Sequence, residues 1–259
     1  MAINRSVVAV PARLQSSRLP NKVLADIGGK PMIQRVLERC REASQIAAVV
    51  LCTDNPQLQS LAEAWGFPVL MTAESCSSGS ERIASVADDL MALAWGDSPV
   101  LADQTAVINV QGDQPFIDPG VIDAMVAEFL RRDPVPAVVT PVYGLKPETV
   151  HNPNVVKTLL AHDGRALYFS RSAIPHVRDV DMAEWHEHTT YWGHVGMYGF
   201  RGDVLAAWNQ LPASPLEDLE RLEQLRLIEA GLTIATFPVQ GTSLSVDTAE
   251  QLEEARALA

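Results

Sequence analysis

Short apolar runs alternate with segments whose apolar residues recur at helical spacing, and this rhythm organises the first half of the chain. Residues 6–11 (SVVAVP) are an apolar run closed by proline, the pattern of a strand buried on both faces. Residues 12–22 form a polar loop. In 31–43 (PMIQRVLERCREA), Met32, Ile33, Val36, Leu37 and Cys40 fall on one helical face, and Pro31 suits a first turn. The pattern then predicts strands over 47–52, 68–71 and 106–111 and helices over 56–65, 79–94 and 119–132. Ser78 followed by Glu81 has capping-box spacing and starts the second of those helices. Repeated strand-then-helix units imply a mainly parallel sheet with helices on both faces.

Beyond about residue 136 the rhythm changes. Strand-like runs at 137–142, 155–161 and 165–170 leave little room for helices, and Asp163-Gly164 between the last two is a hairpin signal. An inserted antiparallel element over about 136–200 follows from this. Residues 191–200 read as a further strand, 216–230 as an amphipathic helix, 232–239 as a strand and 248–258 as a closing helix. No repeat, low-complexity tract or linker interrupts the chain, so the expectation is an α/β fold in a single domain over 1–259, carrying the insertion.

The 259 residues include 20 basic and 32 acidic side chains, for a formal charge of -12. That sign argues against a nucleic-acid or membrane-surface binder and requires any phosphate site to be local. Cys40, Cys52 and Cys76 are too scattered for a disulfide framework or a CxxC metal site, and they read as reduced thiols of a cytoplasmic protein. The N-terminus shows one basic residue, Arg5, before a strand-like run, with no signal-peptide pattern, and no apolar stretch approaches the ~20 residues of a membrane span.

Against that acidic background the loop PARLQSSRLPNK places Arg13, Arg18 and Lys22 after the first strand, at the sheet edge where open α/β folds bind ligands. A solvated loop is the plain explanation. Three cations beside a Leu19-Pro20 clamp fit a triphosphate site better, because phosphoryl transfer needs the charge on the leaving group offset. Gly28-Gly29 reads as a turn. In VINVQGDQP, Gly112 and Asp113 end a buried strand, and the carboxylate is either an Mg²⁺ ligand or part of an Asx turn or helix cap. In Ser245-Val246-Asp247-Thr248, Asp247 is either a helix N-cap or a second metal carboxylate. Trp185-His186-Glu187-His188 offers metal-ligand types without a third ligand for zinc, and suits a flexible loop.

Taken in order, PARLQSSRLPNKVL, GKPMIQRVLER, SSGSERIA, VINVQGDQPFI, NPNVVK, ALYFSRSAIP, GHVGMYGF, SPLEDLERLEQLRLIEAG and VDTAEQLE resemble the 3-deoxy-manno-octulosonate cytidylyltransferase (CMP-Kdo synthetase) family over almost the whole chain. The resemblance implies a Rossmann-like nucleotide-diphospho-sugar transferase fold and transfer of CMP from CTP to 3-deoxy-manno-octulosonate (Kdo), with Mg²⁺ as cofactor and a homodimer as the assembly. It implies Arg13 and Lys22 as triphosphate ligands with Arg18 beside them, Asp113 and Asp247 as Mg²⁺ ligands, and Gly79, Ser80 and Arg82 bordering the nucleoside. It also implies Arg171, His194, Tyr198, Glu223 and Gln224 at the sugar, with Gln111 facing both substrates. Two departures stand out: the family's GDEP is GDQP here, with Gln114, and its VDTPED is VDTAEQ. Another acidic sugar as acceptor, or a catalytically silent nucleotide-sugar sensor, are the rival readings.

Overall fold

The computed structural model describes residues 2–15, 19–241 and 244–259. Its strands in chain order are β1 (Arg5–Ala12), β2 (Asp26–Ile27), β3 (Lys30–Pro31), β4 (Val49–Thr53), β5 (Val69–Met71), β6 (Thr105–Asn109), β7 (Val138–Gly144), β8 (Lys157–Leu160), β9 (Ala166–Ser170), β10 (Trp192–His194), β11 (Tyr198–Arg201) and β12 (Ile234–Pro238). Two compact units result. One comprises Met1–Val135, Met197–Asn209 and Ser243–Ala259, and the other Pro136–Gly196 and Gln210–Thr242.

In the first unit β1 lies between β4 and β6, parallel to both, and β5 extends the sheet beyond β4, also parallel. The apolar run of β1 is buried throughout, Val7 to Val10 being fully enclosed. The helix Met32–Arg41 buries the five residues its spacing predicted. Asn55 caps the helix Pro56–Ala64 by accepting from the amides of Gln57 and Leu58, and Asp118 caps Pro119–Arg131 through Gly120. Gly28 and Gly29 have φ of 57° and 80° and turn β2 back onto antiparallel β3, as the sequence suggests.

In the second unit β7 pairs parallel with β12 and antiparallel with β10, and β8 joins β10 to β9, antiparallel to both. Asp163-Gly164 makes the predicted hairpin, with Gly164 at φ 78° and the Ala161 amide bonded to the Arg165 carbonyl at 2.8 Å. Trp185, Val150 and Tyr191 form a small buried cluster. Trp185–His188 is accordingly a short packed helix, where a flexible loop was expected.

Three predicted elements are divided. The helix over 79–94 is two, Gly79–Ala84 and Ala87–Trp95, because Ser85 turns its hydroxyl onto the Arg82 carbonyl (2.7 Å) and Val86 leaves helical geometry at φ -126°, ψ 24°. The strand over 191–200 is β10 and β11, separated at exposed Gly196; β10 belongs to the second unit, while β11 runs antiparallel to β6 in the first. The helix over 216–230 breaks at Arg221, left-handed at φ 55°, which turns Leu222 into the interior between Pro215–Glu220 and Gln224–Glu229. In the two helices a local hydrogen bond or a burial demand outweighs a continuous apolar period.

Among the described residues no helix is long and apolar enough to cross a membrane. The three cysteines are buried and unbridged, and burial pushes the Cys52 thiol up to about 12 and Cys40 up as well.

Candidate active site

Parallel pairing of β1 with β6, in register at Ala9 and Asn109, sets the loops that follow both strands side by side. The approach at Gly112 is close. A Cβ there would lie 3.0 Å from the Pro11 carbonyl oxygen and 3.2 Å from Ile33, so glycine is what lets the next residue, Asp113, reach the loop after β1. The Val246 amide then donates to the Asp113 carbonyl at 2.9 Å, tying the segment before the last helix to this turn and bringing in Asp247.

Asp247 is not the N-cap of that helix. Thr248 takes the role in a capping box with Gln251, whose side-chain oxygen accepts from the amides of Asp247 (2.8 Å) and Thr248 (3.0 Å). Gln251 is one of the departures from the family pattern, and an amide oxygen serves this purpose as a carboxylate would. The Asp247 carboxylate is left to face the cleft.

Lys22 stands between the two carboxylates. It follows Asn21, left-handed at φ 54°, and its ammonium donates to Asp113 Oδ2 at 2.8 Å, Asp247 Oδ1 at 2.8 Å and the Val246 carbonyl at 3.3 Å. Burial works to lower the Lys22 pKa, but Asp113 and then Asp247 outweigh it and hold the pKa above the ordinary lysine value. A pair of carboxylates converging on one small cation is an oxygen donor set suited to a hard divalent ion. Among the described residues no group of three or more His, Cys, Asp or Glu is placed to hold a metal ion, so an ion at this pair would take its remaining oxygens from water or a bound phosphate.

Arg13, Lys22, Gly79, Arg82, Gln111, Asp113 and Asp247 line one cleft of about 300 Å³, together with Ser77 and Ser78. Arg13 is exposed and makes no ion pair among the described residues. Arg18 lies outside the described residues. Ser80 is buried and accepts from Asn109, which in turn accepts from Gln111 (3.2 Å), so this chain of contacts orients Gln111. Arg82 is committed inward: only 3% exposed, it pairs with Asp54 at 2.7 Å and also donates to the Thr72 hydroxyl. Asp54 went unremarked in the sequence, although its place just after the buried run of β4 is the same signal that marked Asp113. Gln114 is buried, does not line the cleft, and its side-chain oxygen has no hydrogen-bond partner among the described residues.

The residues expected at the sugar fall elsewhere in the chain. In the second unit Arg171 follows β9, and its Nε donates to the Glu220 carbonyl (2.7 Å) and Nη1 to the Pro153 carbonyl (3.2 Å). The Glu220 carboxylate accepts from Ser170 Oγ and the Arg171 amide, although its place beside Glu217 and Glu223 in an amphipathic stretch suggests a solvated face. Lys157, another residue the sequence did not single out, is fully buried and donates to the carbonyls of Asn152, Val155 and Arg171. The left-handed break at Arg221 thus frees carbonyls that Arg171 takes up. Glu223 flanks the break and Gln224 is buried. Tyr198 belongs to the first unit, its ring tilted at 35° to that of Phe200 with 5.8 Å between centroids.

His194, at the end of β10, packs edge-on against Phe169 at 5.0 Å and shares a 2.9 Å hydrogen bond with Thr140. Burial pushes its pKa down to about 3, so it enters any reaction near neutrality as an uncharged imidazole. With the folded value below the unfolded one, the unfolded chain binds the extra proton. Stability should therefore fall as pH drops from about 6.5 toward 3, by up to about 1.4 kcal/mol per unit. Urea unfolding across that range should show His194→Gln with a shallower slope than the parent; equal slopes would remove His194 as the source.

A family model described as cytidylyltransferase matches residues 7–234. The 3-deoxy-manno-octulosonate cytidylyltransferase of Chloroherpeton thalassium is 38% identical over 98% of this chain and 97% of its own, and that of Escherichia coli is 39% identical over 99% and 96%. A solved CMP:2-keto-3-deoxy-manno-octonic acid synthetase complexed with CTP superposes with a TM-score of 0.87 at 39% identity, covering 98% of both chains.

Proposed function

Because this chain belongs to the cytidylyltransferase family, among the 3-deoxy-manno-octulosonate cytidylyltransferases, we infer that it transfers CMP from CTP to Kdo and releases pyrophosphate. One observation carries the reading furthest. Arg13, Lys22, Gln111, Asp113 and Asp247 converge on a single cleft, in a chain that matches a CTP-bound synthetase over 98% of its length. The Rossmann-like fold places that cleft at the carboxyl ends of parallel strands, where such sheets take their ligands.

The sugar's anomeric hydroxyl attacks the α-phosphorus of CTP in line with the departing pyrophosphate. Charge grows on the leaving group, and Arg13 and Lys22 are the cations at hand to offset it. Asp113 and Asp247 would hold Mg²⁺, which when bound neutralises phosphate charge and polarises the reacting oxygens. Gln111, oriented through Asn109, offers an amide to the substrates. Arg171 supplies a guanidinium for the sugar carboxylate and His194 a neutral hydrogen-bonding ring. No covalent enzyme intermediate is required. A homodimer in the cytoplasm, feeding lipopolysaccharide or a related surface glycan, completes this reading.

Pyrophosphate release with each of the four nucleoside triphosphates, crossed with Kdo and sialic acid, tests it. Turnover is expected with CTP and Kdo, and faster release with sialic acid would overturn the choice of sugar. Arg171→Lys keeps the charge but loses the planar fork, so the KM for Kdo should rise about tenfold while that for CTP stays within roughly twofold. An equal rise for both substrates would move Arg171 from the sugar to a purely architectural role, holding the Glu220 and Pro153 carbonyls.

A further inference from the structure

We propose that Lys22 reserves the Asp113–Asp247 pair against divalent cations until a triphosphate draws its ammonium away, so that metal and nucleotide binding are coupled through one side chain. The inference rests on the reading of the two aspartates as metal ligands and adds to it a competitor built into the same cleft.

The geometry is specific. An ammonium has three protons to donate. At Lys22 all three acceptors are in place: Asp113 and Asp247 at 2.8 Å each, and the Val246 carbonyl at 3.3 Å. The lysine side chain is only 15% exposed, so water contributes little to its solvation and the two carboxylates contribute most. To reach a phosphate oxygen the ammonium must give up at least one of these contacts. A divalent ion bridging both carboxylates would stand within a few ångströms of the ammonium, where like charges repel. Lys22 and such an ion therefore compete for the same oxygens.

The segments that carry the carboxylates do not need Lys22 to stay together. Backbone bonds hold their segments: the Val246 amide donates to the Asp113 carbonyl at 2.9 Å, and Gln251 clamps the amides of Asp247 and Thr248. The two segments are thus held side by side whether or not the ammonium is present. With one positive charge among two negative ones the cluster retains a net charge of about -1 at neutral pH. It remains attractive to cations yet is blocked sterically and electrostatically at its centre. A triphosphate offers the ammonium new oxygens, and its departure opens both carboxylates. By reciprocity, an ion seated between the carboxylates makes the ammonium available to the triphosphate.

The test is binding of Mn²⁺, measured by the electron paramagnetic resonance of the free ion, to the full-length protein without nucleotide. Lys22→Gln and Lys22→Met, each checked for native circular dichroism, should bind Mn²⁺ roughly tenfold or more tightly than the parent, because a cation at contact distance has been removed. The gain should vanish when Asp113→Asn is added to Lys22→Gln. Unchanged or weaker binding in both Lys22 variants overturns the proposal, as does a gain that survives Asp113→Asn. A parallel titration with CTP present separates this from the underlying reading. Loss of the ternary Mn²⁺ complex in Asp247→Asn supports the aspartates as ligands even if Lys22 proves indifferent, whereas a parent that binds no Mn²⁺ at the pair with CTP present overturns both.

Discussion

Replacing Asp113 or Asp247 with asparagine is expected to lower turnover by at least about a hundredfold, on the scale of removing one electrostatic element from a phosphoryl-transfer site, while leaving the fold intact. The substitution keeps the shape and one acceptor oxygen but removes the charge that a divalent ion requires. The fold should survive because its bonds at these positions use the backbone: the Asp113 carbonyl accepts from Val246, and the Asp247 amide donates to Gln251. Neither carboxylate closes a helix, since Thr248 is the cap. The double substitution should cost little more than either single one, because residues of one site act as a unit. Pyrophosphate release at saturating CTP and Kdo, set beside thermal melting of the same proteins, decides the matter. A variant with near-normal Mg²⁺-dependent rate and normal melting would remove that aspartate from the metal site.

The cleft was legible in the sequence because most of the groups that line it follow a buried strand or open a helix, and such positions announce themselves by apolar runs that stop at glycine or proline. Asp113 after VINVQG and Lys22 after the PARLQSSRLPN loop are of this kind, and the structure brings them to 2.8 Å. What a linear pattern could not give was the third dimension of each charge. Arg82 lies on a short helix in a motif of the expected kind, yet its guanidinium turns toward Asp54, and nothing in the spacing of residues 54 and 82 points to that pairing. Glu220 illustrates the same limit. Its place among Glu217 and Glu223 suggests a solvated helical face, but the helix ends one residue later, and the carboxylate is taken by Ser170 and the Arg171 amide. The divided elements have a related origin. A period of apolar residues marks what is buried, while the interruption depends on which backbone groups find partners across the fold, as at Arg221, where the freed carbonyls of Glu220 and Arg221 accept from Arg171. Arg171, His194, Tyr198, Glu223 and Gln224 were singled out by resemblance alone for this reason, since their neighbours come from strands and turns far apart in sequence.

The Asp54–Arg82 pair leads to the second large effect, one on stability. Arg82 is 3% exposed and Asp54 14% exposed, with 2.7 Å between the guanidinium and the carboxylate. Arginine cannot shed its charge near neutrality, so removing the carboxylate leaves a buried cation without a counter-charge. Breaking a buried pair from one side in this way costs about 3–5 kcal/mol, far more than the pair contributes relative to an apolar replacement of both partners. Asp54→Ala should therefore lower the melting temperature by on the order of 10 °C. Asp54→Asn, which keeps an acceptor for the guanidinium, should lower it less. Asp54→Ala combined with Arg82→Met should recover part of the loss, because the stranded charge is gone. The consequence for activity is indirect. Arg82 also holds Thr72 and lies in the wall of the cleft, so the KM for CTP should rise in Asp54→Ala even at temperatures where the protein is folded. Melting curves of the three variants, followed by CTP titrations well below each transition, make the comparison. If Asp54→Ala melts with the parent, the guanidinium has found solvent or another partner, and Arg82 would be available to the nucleotide rather than committed to the wall.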